Sequence, residues 1–442
     1  MSLDEHPTIA RLRDRPAPAP PPLLDQAWFR AAALEAGADD AGALSIDNPA
    51  LADQRADILR CFPETRVVLA IVCRMNEAPV RSSVRSIANA EFHEGYDDVN
   101  AVCRRLVRRL GEQGIAALNT VAAFPMEVQE FPGKTWVVGH KPIAEAAGMG
   151  RMGIHRNVIH PRFGNFILLG TVLIAAELRD EAKPLDYNPC LGCNLCVAAC
   201  PVGAIGPGGE FNFTACYTHN YRDFLGGFKS WVETIADSRN ADDYNSRVEP
   251  GETVSMWQSL SYKPGYKAAY CLSVCPAGEE VIGPYLDDRR GFIERIAHPL
   301  RDKAETIYVI DKSDAQDWVA KRFPQKRIRI VRAAVSPTSI RAFLFGLRLG
   351  FQWRKAKGID ATFHFRFTGK ETAEATISIK GGRLDVRPGL RGEAGLTVEA
   401  DSESWLAILA GRRHPLRAMA TGRLRLKGNR RLMADFRRCF PR

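Results

Sequence analysis

Cys190, Cys193, Cys196 and Cys200 stand before Pro201 as C-x2-C-x2-C-x3-C-P. That spacing lets three thiolates hold one cubane iron–sulfur cluster while the fourth, on the helix that follows, reaches a second cluster. A zinc site is the competing reading, and the x3-C-P ending disfavours it. Downstream, Cys271-x3-Cys275-Pro276 supplies the other half, with Cys216 between. In a two-cluster arrangement Cys275 completes a 4Fe-4S cluster with Cys190, Cys193 and Cys196, and Cys200, Cys216 and Cys271 hold the second. The second set is one thiolate short, because the position three residues before Cys271 is Ala268. A 3Fe-4S cluster, a non-cysteine ligand such as His219 or Tyr270, or an exchangeable position would each account for this. The second cluster is therefore expected as 4Fe-4S or 3Fe-4S. Cys61, Cys73, Cys103 and Cys439 fall in apolar or helical surroundings and read as buried structural thiols.

The elements around these residues divide the chain. Eleven cysteines without an export signal argue for metal or redox chemistry rather than a disulfide framework. Length and composition, 442 residues with 45% hydrophobic and 25% charged, suit two to four globular domains. No apolar stretch reaches the ~18 to 20 residues of a membrane-spanning helix. Residues 1–24, with Arg11, Arg13 and Arg15 ahead of a Pro/Ala run, read as a flexible tail of a cytoplasmic protein. Residues 25–180 alternate helix and strand. A helix is expected over Gln26–Gly37, with strands over Val67–Cys73, Thr135–Val138 and Phe166–Ala176. An amphipathic helix carries Val99, Val102, Cys103, Leu106 and Leu110 on one side. This is an α/β domain.

Residues 181–290 take their organisation from the cysteines, as a ferredoxin-like domain, and the polar stretch Asn240–Thr253 reads as a surface loop. Over 291–336, Thr306–Ile310, Ser313–Phe323 and Lys326–Val331 predict a β-α-β connector. In 337–442, Ala361 to Thr368 and Ala373 to Ile379 alternate apolar with polar, Gly381-Gly382 marks a tight turn, and Asp401 or Ser402 caps a helix. This is a separate α+β domain. Residues 411–442 carry eleven Arg/Lys against Asp435, which equals the net charge of +10 for the whole chain. Such a patch suits an anionic membrane surface or an acidic substrate. Nucleic acid is disfavoured because no aromatic residues interleave the basic run.

Glu145-Ala146-Ala147-Gly148-Met149-Gly150-Arg151-Met152-Gly153, followed by His160-Pro161-Arg162-Phe163-Gly164-Asn165 and the cysteine motif, resembles the core of the epoxyqueuosine reductase and reductive dehalogenase families. The resemblance covers about residues 25–290. It implies a nitroreductase-like α/β fold beside a two-cluster ferredoxin domain, with cobalamin bordered by Gly148, Gly150, Gly153, His160, Pro161, Arg162, Phe163 and Gly164. The competing reading makes the glycines a structural turn only. Two departures stand out. The proton-donating Asp of epoxyqueuosine reductases falls on Gly139, and their Tyr-His pair falls on Tyr96-Asp97. Epoxyqueuosine is thus not the expected substrate, and Tyr96, Asp97, His140 and Lys141 are the replacement proton donors. Residues 337–442 resemble the sterol carrier protein type-two fold, through Phe365-x-Phe367-x-Gly369-Lys370, Ile377-x-Ile379-x-Gly381-Gly382, Trp405 and Gly422-x-Leu424-x-Leu426-x-Gly428. That likeness implies a lipid-binding module.

Together these features predict a cytoplasmic iron–sulfur, corrinoid-dependent reductase acting on a hydrophobic or lipid-like substrate, by reductive dehalogenation or a related reduction. A ferredoxin or flavodoxin would supply electrons. The rival is a corrinoid-free electron-transfer protein with a lipid-binding or docking module. Another tetrapyrrole or a flavin in the α/β pocket is a third reading.

Overall fold

The computed structural model describes residues 6–12, 20–123, 137–332 and 336–441. Strands β1 (Asp40–Ser45), β2 (Val67–Arg74), β3 (Ala117–Asn119) and β4 (Ile167–Ile174) form one sheet in the order β1-β2-β4-β3. Strands and helices alternate along the chain, yet every pairing in this sheet is antiparallel, with Ile71 opposite both Ala41 and Gly170. β2 is an unbroken apolar run because both of its faces are covered. On one side Val67, Leu69 and Ile71 pack with Phe29 of α1 (Gln26–Glu35) and with Val99, Val102 and Leu106 of α2 (Arg85–Glu112). On the other, Val68, Ala70 and Val72 meet Ile143 and Ala144 of α3 (His140–Ala146). Gly95 lets α2 lie close on β4, since a Cβ there would stand 2.7 Å from a Leu168 methyl.

Part of the segment expected to be a tail is ordered into this unit: Leu23–Leu24 pairs in parallel with Glu177–Leu178. Of the strand expected over Thr135–Val138, Thr135 and Trp136 lie outside the described residues, and Val137 and Val138 form a bend.

The cysteine-bearing unit is built from short helices, α4 (Leu195–Ala199), α5 (Phe213–Asn220), α6 (Leu225–Ala236), α7 (Ala241–Arg247), α8 (Pro250–Tyr262) and α9 (Tyr270–Ser273). The surface loop expected over Asn240–Thr253 is instead helical. Asn240 caps α7 by accepting from Asp243 N at 2.9 Å, and Pro250 opens α8. Its polar composition belongs to helices with a broad solvated face. Buried Glu252 anchors the excursion, pairing with Arg222 at 2.8 Å and Arg329 at 2.5 Å while accepting from the Tyr308 hydroxyl at 3.2 Å. β5 (Thr306–Val309), α10 (Asp314–Arg322) and β6 (Arg327–Ile330) make a parallel β-α-β unit. It is more than a connector, because Ile307, Val309 and Val319 share one core with Leu195, Ala199 and Val274.

The last unit opens with α11 (Ile340–Gly350), followed by β7 (Asp360–Thr368), β8 (Ala373–Lys380), β9 (Arg383–Pro388) and β10 (Leu396–Asp401). Then come α12 (Ser402–Leu409), α13 (Pro415–Ala420), β11 (Leu424–Gly428) and α14 (Leu432–Cys439). Its sheet order is β9-β8-β7-β10-β11, with only β7 and β10 parallel. The alternation places Phe363, Phe365 and Phe367 inward, where they pack with Phe343, Trp405 and Phe436. Gly381 and Gly382, at φ +54° and +73°, make the tight β8-β9 turn.

Candidate iron–sulfur site and adjoining cavity

The two cysteine segments repeat one local design. Asn194 and Ala269 each take a left-handed conformation, both at φ +53°, two residues before Cys196 and Cys271. Each is followed by a helical turn and a Cys-Pro pair, Cys200-Pro201 and Cys275-Pro276. In this register Ala268 holds the place in the second segment that Cys193 holds in the first. All eleven cysteines are free of disulfides. Electrostatic influence links seven of them in two groups that meet at Cys196 and Cys271. Cys275 feels Cys193 and Cys190, and Cys196 feels these three together with Cys271. Cys216 feels Cys271 and Cys200. Burial pushes the Cys271 and Cys275 thiols up to about 12, so as free thiols both stay protonated at neutral pH.

Backbone amides point at sulfur in both groups, from Ile154 to Cys190 at 3.4 Å and from Ala204 to Cys200 at 3.3 Å. Among the described residues no three His, Cys, Asp or Glu side chains converge tightly enough for a single metal ion. Seven sulfurs in two wider sets, with amides aimed at two of them, fit a pair of iron–sulfur clusters. Cys190 and Cys193 flank Leu191, which is 50% exposed, so this edge of the first set lies toward solvent, while Cys196 and Cys275 are buried.

A cavity of about 370 Å³ separates the second set from the α/β unit. Cys200, Cys216, Cys271 and Ala268 border it on one side, and Tyr96, Gly139, His140, Lys141, His155 and Asn157 on the other. The hydroxyls of Tyr96 and Tyr266 meet at 3.0 Å, and burial raises both phenols, so they are protonated at neutral pH. Tyr221 joins them in the lining, with Cys216 and Cys271 among the groups that raise it further. Lys141 borders the cavity and its Nζ donates to Arg156 O at 2.7 Å and Asn157 Oδ1 at 2.8 Å, while burial lowers its pKa from that of a free lysine.

The other expected proton donors are placed differently. His140 lines the cavity, but Nε2 donates to Val121 O at 3.1 Å and Nδ1 meets Thr171 Oγ1 at 2.8 Å, and burial lowers it to about 4. It is a neutral structural imidazole. Asp97 lies outside the cavity on the exposed side of α2, in an ion pair with Lys263. The sequence offered no spacing that would single out Tyr266 or Tyr221, because both reach the cavity through the cysteine-bearing unit.

The residues expected to border a macrocycle do not line this cavity. Cβ atoms at Gly148, Gly150 and Gly164 would stand 2.5 Å from Lys183 O, 2.4 Å from Ile159 O and 2.0 Å from Ala277 O. Their open sides are filled by this chain's own backbone, and Gly153 is filled by Ile159 and His155 side chains. His160 and Phe163 stack at 4.7 Å, His160 Nε2 meets Asp40 at 3.1 Å, and exposed Arg162 pairs with Glu280 at 2.6 Å. Pro161 O and Arg162 O accept from Glu279 N and Glu280 N at 2.8 and 3.0 Å. The segment from His160 to Gly164 is a docking turn that seats the loop after Cys275. It does not fit the corrinoid-bordering role that the resemblance implied.

Residues 183–206 match the family model described as 4Fe-4S binding domain, and residues 353–441 match the SCP-2 sterol transfer family. The epoxyqueuosine reductase of Leadbetterella byssophila is 22% identical over 225 residues, which is 48% of this chain and 69% of the relative. The chain spans only 26% and 21% of the length of the first two curated relatives it matches, both named epoxyqueuosine reductase. A crystal structure of epoxyqueuosine reductase with an epoxyqueuosine-modified tRNA stem loop aligns at TM-score 0.32 and 18% identity, covering 46% of this chain and 57% of that one. A reductive dehalogenase structure, titled as suggesting a mechanism for B12-dependent dehalogenation, aligns at TM-score 0.36 and 13% identity, covering 53% and 35%. The chain is similar to epoxyqueuosine reductases, and it carries a 4Fe-4S binding segment and an SCP-2 segment.

Proposed function

We propose that this protein is an iron–sulfur reductase whose substrate binds in the cavity beside Cys200, Cys216 and Cys271. The carrying observation is that one cavity joins three of the cysteines to a hydrogen-bonded pair of protonated phenols and a lysine ammonium. Cys190, Cys193, Cys196 and Cys275 would hold one cluster and Cys200, Cys216 and Cys271 the other, and the pair would supply electrons taken from a ferredoxin or flavodoxin. Tyr96, backed by Tyr266, supplies the proton that a reduced substrate takes up, and Lys141 offsets negative charge as it develops. Replacing a carbon–halogen bond by carbon–hydrogen would consume two electrons and one proton and release halide, with Lys141 beside the leaving anion. The substrate class is a hydrophobic molecule, presented by the SCP-2-like unit. Cobalamin rests on the resemblance alone, since the residues expected to border it pack against this chain's own backbone.

Metal analysis of protein purified without oxygen from cells supplied with cobalamin tests the reading. About seven to eight irons per chain are expected from two clusters. Absence of cluster iron overturns the reductase reading. Cobalt near one per chain would restore the corrinoid, whereas iron without cobalt leaves the path ending at the second cluster.

A second reading concerns the partner. Arg412, Arg417, Arg423, Arg425, Arg430 and Arg437 are all exposed, and a similar protein is titled as bound to a tRNA stem loop. A nucleic-acid partner, disfavoured from the lack of interleaved aromatics, is therefore readmitted. Salt-sensitive RNA binding, with no binding to vesicles of anionic lipid at the same ionic strength, would favour it over an anionic lipid.

A further inference from the structure

We propose that the second cluster is held by three thiolates only, and that its fourth iron faces the cavity beside Ala268, open to a small exchangeable oxygen or sulfur donor. This inference rests on the two-cluster reading above and goes beyond it by assigning the cavity a direct iron-binding role.

Three observations carry it. The local repeat puts Ala268 where Cys193 stands in the first segment, so a methyl group replaces the missing thiolate. Ala268 borders the cavity together with Cys200, Cys216 and Cys271, while none of Cys190, Cys193, Cys196 and Cys275 does. The neighbouring side chains are held in forms that donate rather than accept. The Tyr270 hydroxyl donates to Glu305 Oε2 at 2.7 Å. His219 Nδ1 accepts from Tyr308 N at 3.4 Å, which leaves the proton on Nε2, a buried atom without a partner, and so no lone pair for iron in this tautomer. His155 is held in the same tautomer by Asn157 N at 3.1 Å. Lys141 is a donor through its ammonium and attracts an anionic ligand to the position. The Tyr221 phenol lines the same cavity as Cys216 and Cys271, suited to donate a hydrogen bond to whatever occupies the iron. The substrate class that follows carries a hydroxyl, carboxylate or thiolate able to bind iron directly.

The test uses the full chain, reconstituted without oxygen, with cyanide as probe and electron paramagnetic resonance and Mössbauer spectra as readouts. Cyanide is expected to change the spectrum of one cluster and leave the other unaltered, and mild oxidation is expected to release one iron from that same cluster. Ala268→Cys should abolish both responses. Tyr221→Phe and His219→Ala should keep them. Two clusters by iron content with no cyanide response in the natural chain would overturn the open position while leaving the reductase reading intact. A cyanide response that appears or strengthens only in Tyr221→Phe would likewise overturn it by assigning that phenol to the iron. Iron for a single cluster only, about four per chain, would overturn the two-cluster reading itself.

Discussion

At the scale of single residues the cavity chemistry turns on Tyr96 and Tyr266, whose hydroxyls share one hydrogen bond 3.0 Å long. Tyr96→Phe removes the proposed donor without removing the ring. Turnover should fall by roughly 10²- to 10⁴-fold, with iron content unchanged, and equal turnover in the variant would remove Tyr96 from the mechanism. His140 and His155 make a different prediction. Burial holds both at about 4 against 6.5 for an exposed imidazole, so below pH 6.5 the unfolded chain binds protons that the folded chain refuses. Their contribution to stability is complete above pH 6.5 and is lost as the pH falls toward 4. Melting temperature should drop across that window, and the drop should be shallower in His140→Gln. A parallel slope in the two proteins would show that His140 does not contribute.

Among the elements, the turn from His160 to Gly164 and the α6–α8 excursion are where packing decides the outcome. Gly164 sits at φ +61° with the Ala277 carbonyl 2.0 Å from where a Cβ would be. Gly164→Ala meets that clash and adds on the order of 1–3 kcal/mol of backbone strain. It should displace the loop carrying Cys275 and lower iron bound per chain, and full iron retention would show that the docking turn does not support the cluster. Glu252 is 6% exposed between two arginines. Its removal in Glu252→Ala leaves Arg222 and Arg329 without their carboxylate, which should cost about 3–5 kcal/mol in chemical denaturation. A loss below about 1 kcal/mol would mean that the arginines find other partners or water.

For the whole molecule, the SCP-2-like unit does not stand apart from the redox centre. Trp318 donates from its indole to Cys200 O at 3.1 Å and fills the space beside Gly203. Arg354, from the last unit, stacks over Trp318 at 4.7 Å and donates to Gly203 O at 2.7 Å. Thr214 donates to Leu349 O at 3.3 Å, and a Cβ at the next residue, Gly350, would stand 3.2 Å from the same hydroxyl. The turn after a cluster cysteine is thereby clamped by the domain expected to carry lipid. Arg354→Ala should raise hydrogen exchange at both 200–204 and 340–352 together, because the guanidinium bridges them. Exchange rising at only one of the two segments would show that the units are not coupled through this residue.

The sequence by itself determined the cysteine registers, the alternation of the last sheet and the apolar run of β2, because each is a local pattern whose period matches its backbone geometry. It also showed that the second cysteine set lacks a thiolate. Tertiary structure decided which side of that set meets a cavity, since Tyr96, Lys141, Tyr221 and Tyr266 come from separate parts of the chain and no spacing relates them. It also decided the role of the glycine-rich turn. A glycine is needed equally where a cofactor approaches and where backbone does, and only the folded neighbours, Lys183, Ile159 and Ala277, distinguish the two. The helices of the 240–253 stretch were hidden for a similar reason. Their stability comes from the buried Glu252 contacts to Arg222, Arg329 and Tyr308, all distant in sequence, rather than from an apolar periodicity of their own.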